Sequence, residues 1–180
     1  MIRKLAKSAL WLALAPMLTF SEHASAIVCT SPCVASGDKI VLAAYWNANL
    51  GDNMAVASGE SRQAAIDGGY AYVRDEALVF RNYQAGLVPL RLYYSAVRHD
   101  NFTEASLQGQ SDQFNTHIYL FVRLEGWIYP TPQPGTVPIY LFYSATRQDN
   151  MLAATQASID AAEGSGYGQV RIEGYVYPPP

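Results

Sequence analysis

The chain has 180 residues, half of them apolar, with 12 basic side chains against 15 acidic ones for a formal charge of −3. It offers no basic stripe to neutralise phosphates, which disfavours nucleic-acid binding and attraction to an anionic membrane surface.

In chain order, Arg3, Lys4 and Lys7 form a positive start, and Ala9–Phe20 is an apolar run. Spanning a bilayer takes about 20 apolar residues, so this run is short for an anchor. Ala24-Ser25-Ala26 then supplies a small-x-small cleavage signature. Residues 1–26 therefore read as a secretory signal peptide, with Ile27 as the mature start and no membrane insertion after cleavage. The expected destination is the periplasm or the exterior. Cleavage would remove three basic residues and one acidic one, leaving a more acidic protein with Lys39 as its only lysine.

Residues 27–38 carry both cysteines, Cys29 and Cys33. Export makes a local disulfide reasonable, although a bridge across so short a loop adds little stability, and intermolecular pairing is the alternative. The spacing lacks the further ligands of a zinc site.

Residues 39–180 read as one domain of three copies, about 39–86, 87–135 and 136–180. Asp52-Asn53, Asp100-Asn101 and Asp149-Asn150 recur at spacings of 48 and 49 residues, each about ten residues after a Leu or Ile. A second block recurs in the same register: Val73, Arg74 and Glu76; Val122, Arg123 and Glu125; Val170, Arg171 and Glu173. Each block is followed four residues after the glutamate by an aromatic: Phe80, Tyr129 and Tyr177. Fixed-period self-similarity is the signature of a repeat architecture.

Within each copy, Leu90, Leu92 and Tyr94 alternate with Arg91, Tyr93 and Ser95, the period of a half-buried strand. Leu42, Ala44 and Trp46, and Ile139, Leu141 and Tyr143, match the inner set. The Asp-Asn pair then marks a turn, and a short strand follows. Ser58 to Gly69 and Thr155 to Gly164 have an N-cap, helix formers and a glycine stop; the second copy is interrupted by Gly109. Two further strands are expected at 70–74 and 77–80, with counterparts later. One such unit cannot bury its own apolar face. The expectation is a mainly β fold, a pseudo-threefold β-trefoil-like closed barrel with a short helix in each repeat.

These residues resemble a group of exported three-repeat proteins of unknown function. Their units run Tyr-Ser/Asn-x4-Asp-His/Asn-Phe-x-Thr and then Glu-Gly-Tyr-Val-Tyr. Here Tyr94 and Ser95 with Asp100, Asn101, Phe102 and Thr103, and Glu173 through Tyr177, carry the likeness, while the first copy departs with Ala77 to Phe80 and with Met54-Ala55. Such units often accompany bacterial extracellular hydrolases. The resemblance implies a carbohydrate- or wall-binding role and supplies no catalytic residue.

The repeated Asp-Asn pairs are the leading site candidates, because a carboxylate and an amide together suit sugar hydroxyls. Tyr45, Tyr93 and Phe142 on the expected outer face offer a flat surface to a pyranose ring, beside Asn47, Ser95 and Ser144. The competing reading has Asp capping the turn and Asn in a left-handed conformation. Arg74/Glu76, Arg123/Glu125 and Arg171/Glu173 read as a structural ion-pair ring. Against an enzyme, threefold polar residues give three equivalent sites rather than one asymmetric acid–base pair. His99 occurs in one copy only, and neither it nor His117 belongs to a catalytic motif. Asn101-Phe102-Thr103 is a formal glycosylation sequon around a buried Phe102. No cofactor or metal is implied.

The function expected is a secreted, lectin-like, non-catalytic module with up to three weak sites for a glycan or cell-surface polymer, gaining avidity from repetition. The alternatives are a structural or protein-interaction domain with architectural Asp-Asn turns, and a hydrolase or inhibitor working from divergent loops such as Arg98–His99 or Thr131–Gly135. Oligomeric state is not legible from these residues.

Overall fold

The computed structural model describes residues 38–180, apart from the side chains of residues 113–116. The leader over 1–26 and the Cys29–Cys33 pair lie outside the described residues. Nine strands and three helices follow in a fixed order, strand, strand, helix, strand, three times over. The first set is β1 (Lys39–Asn47), β2 (Asp52–Val56), α1 (Gly59–Asp67) and β3 (Ala71–Phe80). The second is β4 (Val88–Ser95), β5 (Asp100–Glu104), α2 (Leu107–Thr116) and β6 (Leu120–Ile128). The third is β7 (Val137–Ser144), β8 (Asp149–Ala153), α3 (Gln156–Gly164) and β9 (Gly168–Val176). No helix among the described residues is long and apolar enough to cross a membrane.

The helix starts follow the capping rule. Ser58, Ser106 and Thr155 are extended N-caps whose hydroxyls accept from the N–H of Ser61, Gly109 and Ser158. The last part of each unit differs from expectation: one long strand replaces two short ones. Its continuity survives two β-bulges. Between β1 and β3 the register steps over Glu76 and again over Val73. The same steps skip Glu125 and Val122 between β4 and β6, and Glu173 and Val170 between β7 and β9.

The extra residues lie on β3, β6 and β9; the unbulged strands β1, β4 and β7 are buried on both faces over part of their length. Leu42, Leu90 and Ile139 point inward as expected and are wholly buried. Past the bulge, Tyr45, Tyr93 and Phe142 are also buried, whereas Trp46, Tyr94 and Tyr143 are only half-buried. The central core joins all three copies: Leu42, Leu90 and Ile139 pack with Val79, Ile128 and Val176.

The mainly β class is borne out; a closed barrel is not found. The strands form one antiparallel sheet in the order β2-β1-β3-β6-β4-β5 and a second in the order β8-β7-β9. The long strands meet only at their ends. Phe80 pairs with Trp127, Tyr129 exchanges backbone bonds of 3.1 and 2.8 Å with Tyr175, and Leu78 exchanges bonds of 2.8 and 3.3 Å with Tyr177. Close approach here requires glycine. A Cβ on Gly126, at φ +151°, would lie 2.8 Å from the Phe80 carbonyl oxygen, and one on Gly174 would lie 2.7 Å from that of Tyr129. That is the physical reason for glycine in the Glu-Gly-Tyr-Val-Tyr pattern; Ala77 holds the place at the third junction.

The first strand of each copy spans two clusters. At its start, Phe80, Tyr129 and Tyr177 pack edge to face, with centroids 5.4, 6.1 and 6.3 Å apart, and the Lys39 ammonium lies 4.2 Å from the Tyr177 ring centre. At its end stand the Asp-Asn pairs, where Asn47, Ser95 and Ser144 face Asp52, Asp100 and Asp149.

Candidate functional site

The three aspartates converge, with one oxygen from each within 4.8 Å of the others. All three are buried. Each serves a neighbouring copy rather than its own turn. Asn101 donates its backbone N–H to Asp52 Oδ1 at 3.0 Å and its Nδ2 to Oδ2 at 2.7 Å. Asn150 does the same to Asp100 at 2.9 and 2.7 Å, and Asn53 to Asp149 at 3.1 and 2.7 Å. The hydroxyls of Tyr70, Tyr119 and Tyr167 donate to Asp52, Asp100 and Asp149 respectively. Those same hydroxyls accept from the Nδ2 of Asn101, Asn150 and Asn53 at 3.0, 3.1 and 3.0 Å. The result is a cycle of nine side chains in which the Asp and Tyr of each copy, bonded to each other, both accept from the Asn of another copy.

The tyrosines were not anticipated, although Tyr70, Tyr119 and Tyr167 recur at spacings of 49 and 48. The left-handed turn residue was expected to be Asn; it is instead the residue before Asp. Gly51, His99 and Gln148 have φ of 70°, 55° and 56°, and the Asn begins the second strand. Asn47, Ser95 and Ser144, expected beside a sugar, tie the turns: Asn47 Oδ1 accepts from the N–H of Asn49 and Leu50, Ser95 Oγ accepts from that of Arg98, and the Ser144 hydroxyl is 3.1 Å from the Thr146 hydroxyl.

Crowding three carboxylates away from water disfavours their charge. Burial pushes Asp52 up to about 8, aided by Asp149, and pushes Asp100 up to about 7. The tyrosine hydroxyls rise above their ordinary value for the same reason, burial first and the adjacent carboxylate second. The trio is the grouping among the described residues that could ligate a metal, yet every one of its six oxygens already accepts a hydrogen bond. A void of about 10 Å³ bordered by Asn53, Asn101 and Asn150 lies alongside, room for no more than about one water.

The glutamates form a second cross-copy set. Glu125 Oε2 accepts from the N–H of Ala57 and Ser58 at 2.7 and 3.0 Å, and Oε1 from the Ser61 hydroxyl. Glu76 caps α3 likewise through Ala154, Thr155 and Ser158. Glu173 caps α2 through Ala105 and Ser106 at 3.0 and 2.8 Å. Each carboxylate thus takes up orphan donors at a helix N-terminus. This corrects the ion-pair ring: among the three expected pairs only Arg171–Glu173 forms, at 2.6 Å, because the bulge at the glutamate turns it into the neighbouring helix.

The second copy departs in one place. Gly109 replaces the serine, and Glu104 stands where the other copies have Val56 and Ala153. Glu104 is fully buried, with Arg91 3.4 Å from Oε1 and no partner on Oε2. Burial, with Glu173 nearby, pushes its carboxyl up to about 7.

Tyr45, Tyr93 and Phe142 do not form the outer platform expected of them; they pack against Met54, Phe102 and Ala153 and are buried, at 5, 8 and 0 % exposure. Of several surface hollows, two form matching clefts between copies on the side of the Asp-Asn pairs. One, of about 190 Å³, has Arg98, Phe102 and Tyr119 facing Tyr143, Asn150 and Arg171. The other, of about 340 Å³, has Arg147, Met151 and Tyr167 facing Trp46, Asn53 and Arg74. These are the same repeat positions displaced by one copy, with Phe102 matched by Met151 and Tyr143 by Trp46. Of the nine expected site residues, Asn53 and Asn150 border these clefts; Asp52, Asp100, Asp149 and Asn101 are held in the buried cycle.

Comparison with protein-family models, with curated proteins and with solved structures finds no match.

Proposed function

We propose that the chain is an exported, non-catalytic carbohydrate- or surface-binding module, built of three copies around a shared pseudo-threefold axis in a trefoil-like arrangement. The axis would run from the Phe80, Tyr129 and Tyr177 cluster to the three aspartates, and the cyclic hydrogen bonds at both ends support it.

The observation that carries the binding role is the pair of matching clefts. Each combines a half-buried aromatic wall (Trp46 or Tyr143), an arginine edge, a tyrosine hydroxyl and an asparagine amide. Apolar rings with a few convergent polar groups are the usual make-up of a saccharide pocket. The third junction has Leu50 in place of the cleft arginine and Arg123 already paired with Glu60 at 2.9 Å. Two sites are therefore favoured over three.

A polysaccharide pull-down tests this. Retention by the protein should drop with Trp46→Ala and Tyr143→Ala and persist with Leu50→Ala. Retention unaffected by both aromatic changes would sink the cleft assignment.

The burial of the Asp-Asn cycle favours a second reading, a structural or protein-interaction domain with no glycan ligand. It is distinguished by failure to retain any polysaccharide while Asp100→Ala still lowers the melting temperature.

A further inference from the structure

The two clefts match in position but differ in charge balance. Between the second and third copies, Arg171 is neutralised twice, by Asp112 at 2.6 Å and by Glu173 at 2.6 Å. Between the third and first copies, Ala161 occupies the place of Asp112, and Glu76 is committed to the start of α3. Arg74 Nη1, Arg123 Nε and Arg171 Nη2 are all buried without a hydrogen-bond partner. Arg123 and Arg171 nevertheless have carboxylate partners, whereas Arg74 forms no ion pair among the described residues. An unpartnered buried guanidinium nitrogen is costly unless something supplies an acceptor.

A second cation shares that cleft. The Arg147 guanidinium lies 5.3 Å from the Tyr167 ring centre and 5.9 Å from that of Trp46, and its Nη1 donates to the Tyr167 hydroxyl at 3.3 Å. Stacking on ring faces leaves the remaining N–H edge free to bind. The walls carry no carboxylate, and the buried Asp149 behind Tyr167 is engaged by Asn53 and Tyr167. Val73 and Met151 add apolar lining. Two guanidinium groups beside a half-buried indole, in about 340 Å³, suit a single ring bearing a negative group.

We propose that the cleft between the third and first copies binds an acidic sugar unit of a glycan, one bearing a carboxylate or a sulfate ester, with Arg74 and Arg147 as its anion contacts and Trp46 as the face against its ring. This rests on the carbohydrate-binding reading above and adds the ligand's charge class. It gives the matching cleft, where Arg171 already has two carboxylate partners, no such preference.

Titration calorimetry of the protein with a uronic-acid oligosaccharide, a sulfated oligosaccharide and the uncharged parent tests it. One of the two acidic ligands should bind at least about tenfold more tightly than the parent and weaken with added salt. Which one it is identifies the anion. Arg74→Gln and Arg147→Gln should each weaken that binding about tenfold, while Arg123→Gln, at the junction where Glu60 already pairs with it, leaves it unchanged. Equal affinity for charged and uncharged ligands overturns the acidic specificity but keeps the binding module. Acidic binding that survives the double Arg74→Gln, Arg147→Gln change overturns the location. No binding of any saccharide overturns both readings.

Discussion

Asn101 reaches across to Asp52 with two bonds, backbone to Oδ1 at 3.0 Å and amide to Oδ2 at 2.7 Å, although 49 residues separate them in sequence. Within its own copy Asn101 has no such bond to Asp100. The repeated pair is thus a connector between copies, and its two members serve different neighbours.

Removing a carboxylate from this cycle leaves a tyrosine hydroxyl, a backbone N–H and an amide without their acceptor. Asp100→Ala should destabilise by about 3–5 kcal/mol, the range for breaking a buried network. Tyr119→Phe removes one donor and one acceptor, and should cost about 1–3 kcal/mol. Urea unfolding followed by circular dichroism measures both.

The pH dependence has a definite sign. Asp52, Asp100 and Glu104 are raised by burial to about 8, 7 and 7 from ordinary values of 3.8, 3.8 and 4.5. Asp149 and Tyr70 face the first, Tyr119 and Asp149 the second, Arg91 and Glu173 the third. The folded state therefore binds more protons than the unfolded one between about pH 4 and pH 8. Their contribution is fully present below pH 4 and is lost as pH rises through the folded values. The melting temperature should fall by more than about 10 °C between pH 5 and pH 8.5, and by less in Asp52→Asn. A melting temperature that rises over this interval would contradict the burial argument.

Much of this could be read from the sequence, and the rest fails for identifiable reasons. The copies, the core positions Leu42, Leu90 and Ile139, and the helix caps follow from local pattern. The burial of Tyr45, Tyr93 and Phe142 does not, because the face expected to be outer is covered by later residues of each copy, Met54 and Ala65, Phe102 and Tyr119, and Ala153 and Ala162, which alternation along one strand does not show. Arg74 and Glu76 at i, i+2 suggested a pair because the bulge at Glu76 is not visible in the spacing. The role of Glu125 as a cap for α1 depends on a partner 67 and 68 residues away, which no spacing within one copy reveals. The tyrosines of the cycle were visible as a third repeating position and needed only to be aligned with the aspartates.

Copy two carries a compensated change. A Cβ on Gly109 would lie 2.8 Å from the Glu104 Cβ and 3.1 Å from carboxylate oxygens of both Glu104 and Glu173. Gly109→Ser should therefore destabilise by about 1–3 kcal/mol by overpacking. Combined with Glu104→Ala, which restores the pattern of Ser158 and Ala153, the serine gains Glu173 as acceptor. The double variant should be more stable than Gly109→Ser alone, with a coupling above about 1 kcal/mol. Strict additivity would show that the two positions do not share this space.

The junction glycines make a separate prediction. Gly126→Ala and Gly174→Ala drive a methyl into a neighbouring backbone carbonyl and should each cost about 2–4 kcal/mol, whereas Ala77→Gly should cost about 1 kcal/mol or less. Thermal denaturation of the three variants gives the comparison.

A double-mutant cycle reaches the cross-copy connection itself. Asp52→Ala and Asn101→Ala, far apart in sequence, should be coupled by more than about 1 kcal/mol, since either change alone abolishes the amide bond from Asn101 Nδ2 to Asp52 Oδ2. Asp52→Ala and Asn53→Ala, adjacent in sequence, should show a smaller coupling. A larger coupling within the adjacent pair, or none across Asp52 and Asn101, would contradict a cycle that binds each copy to the next.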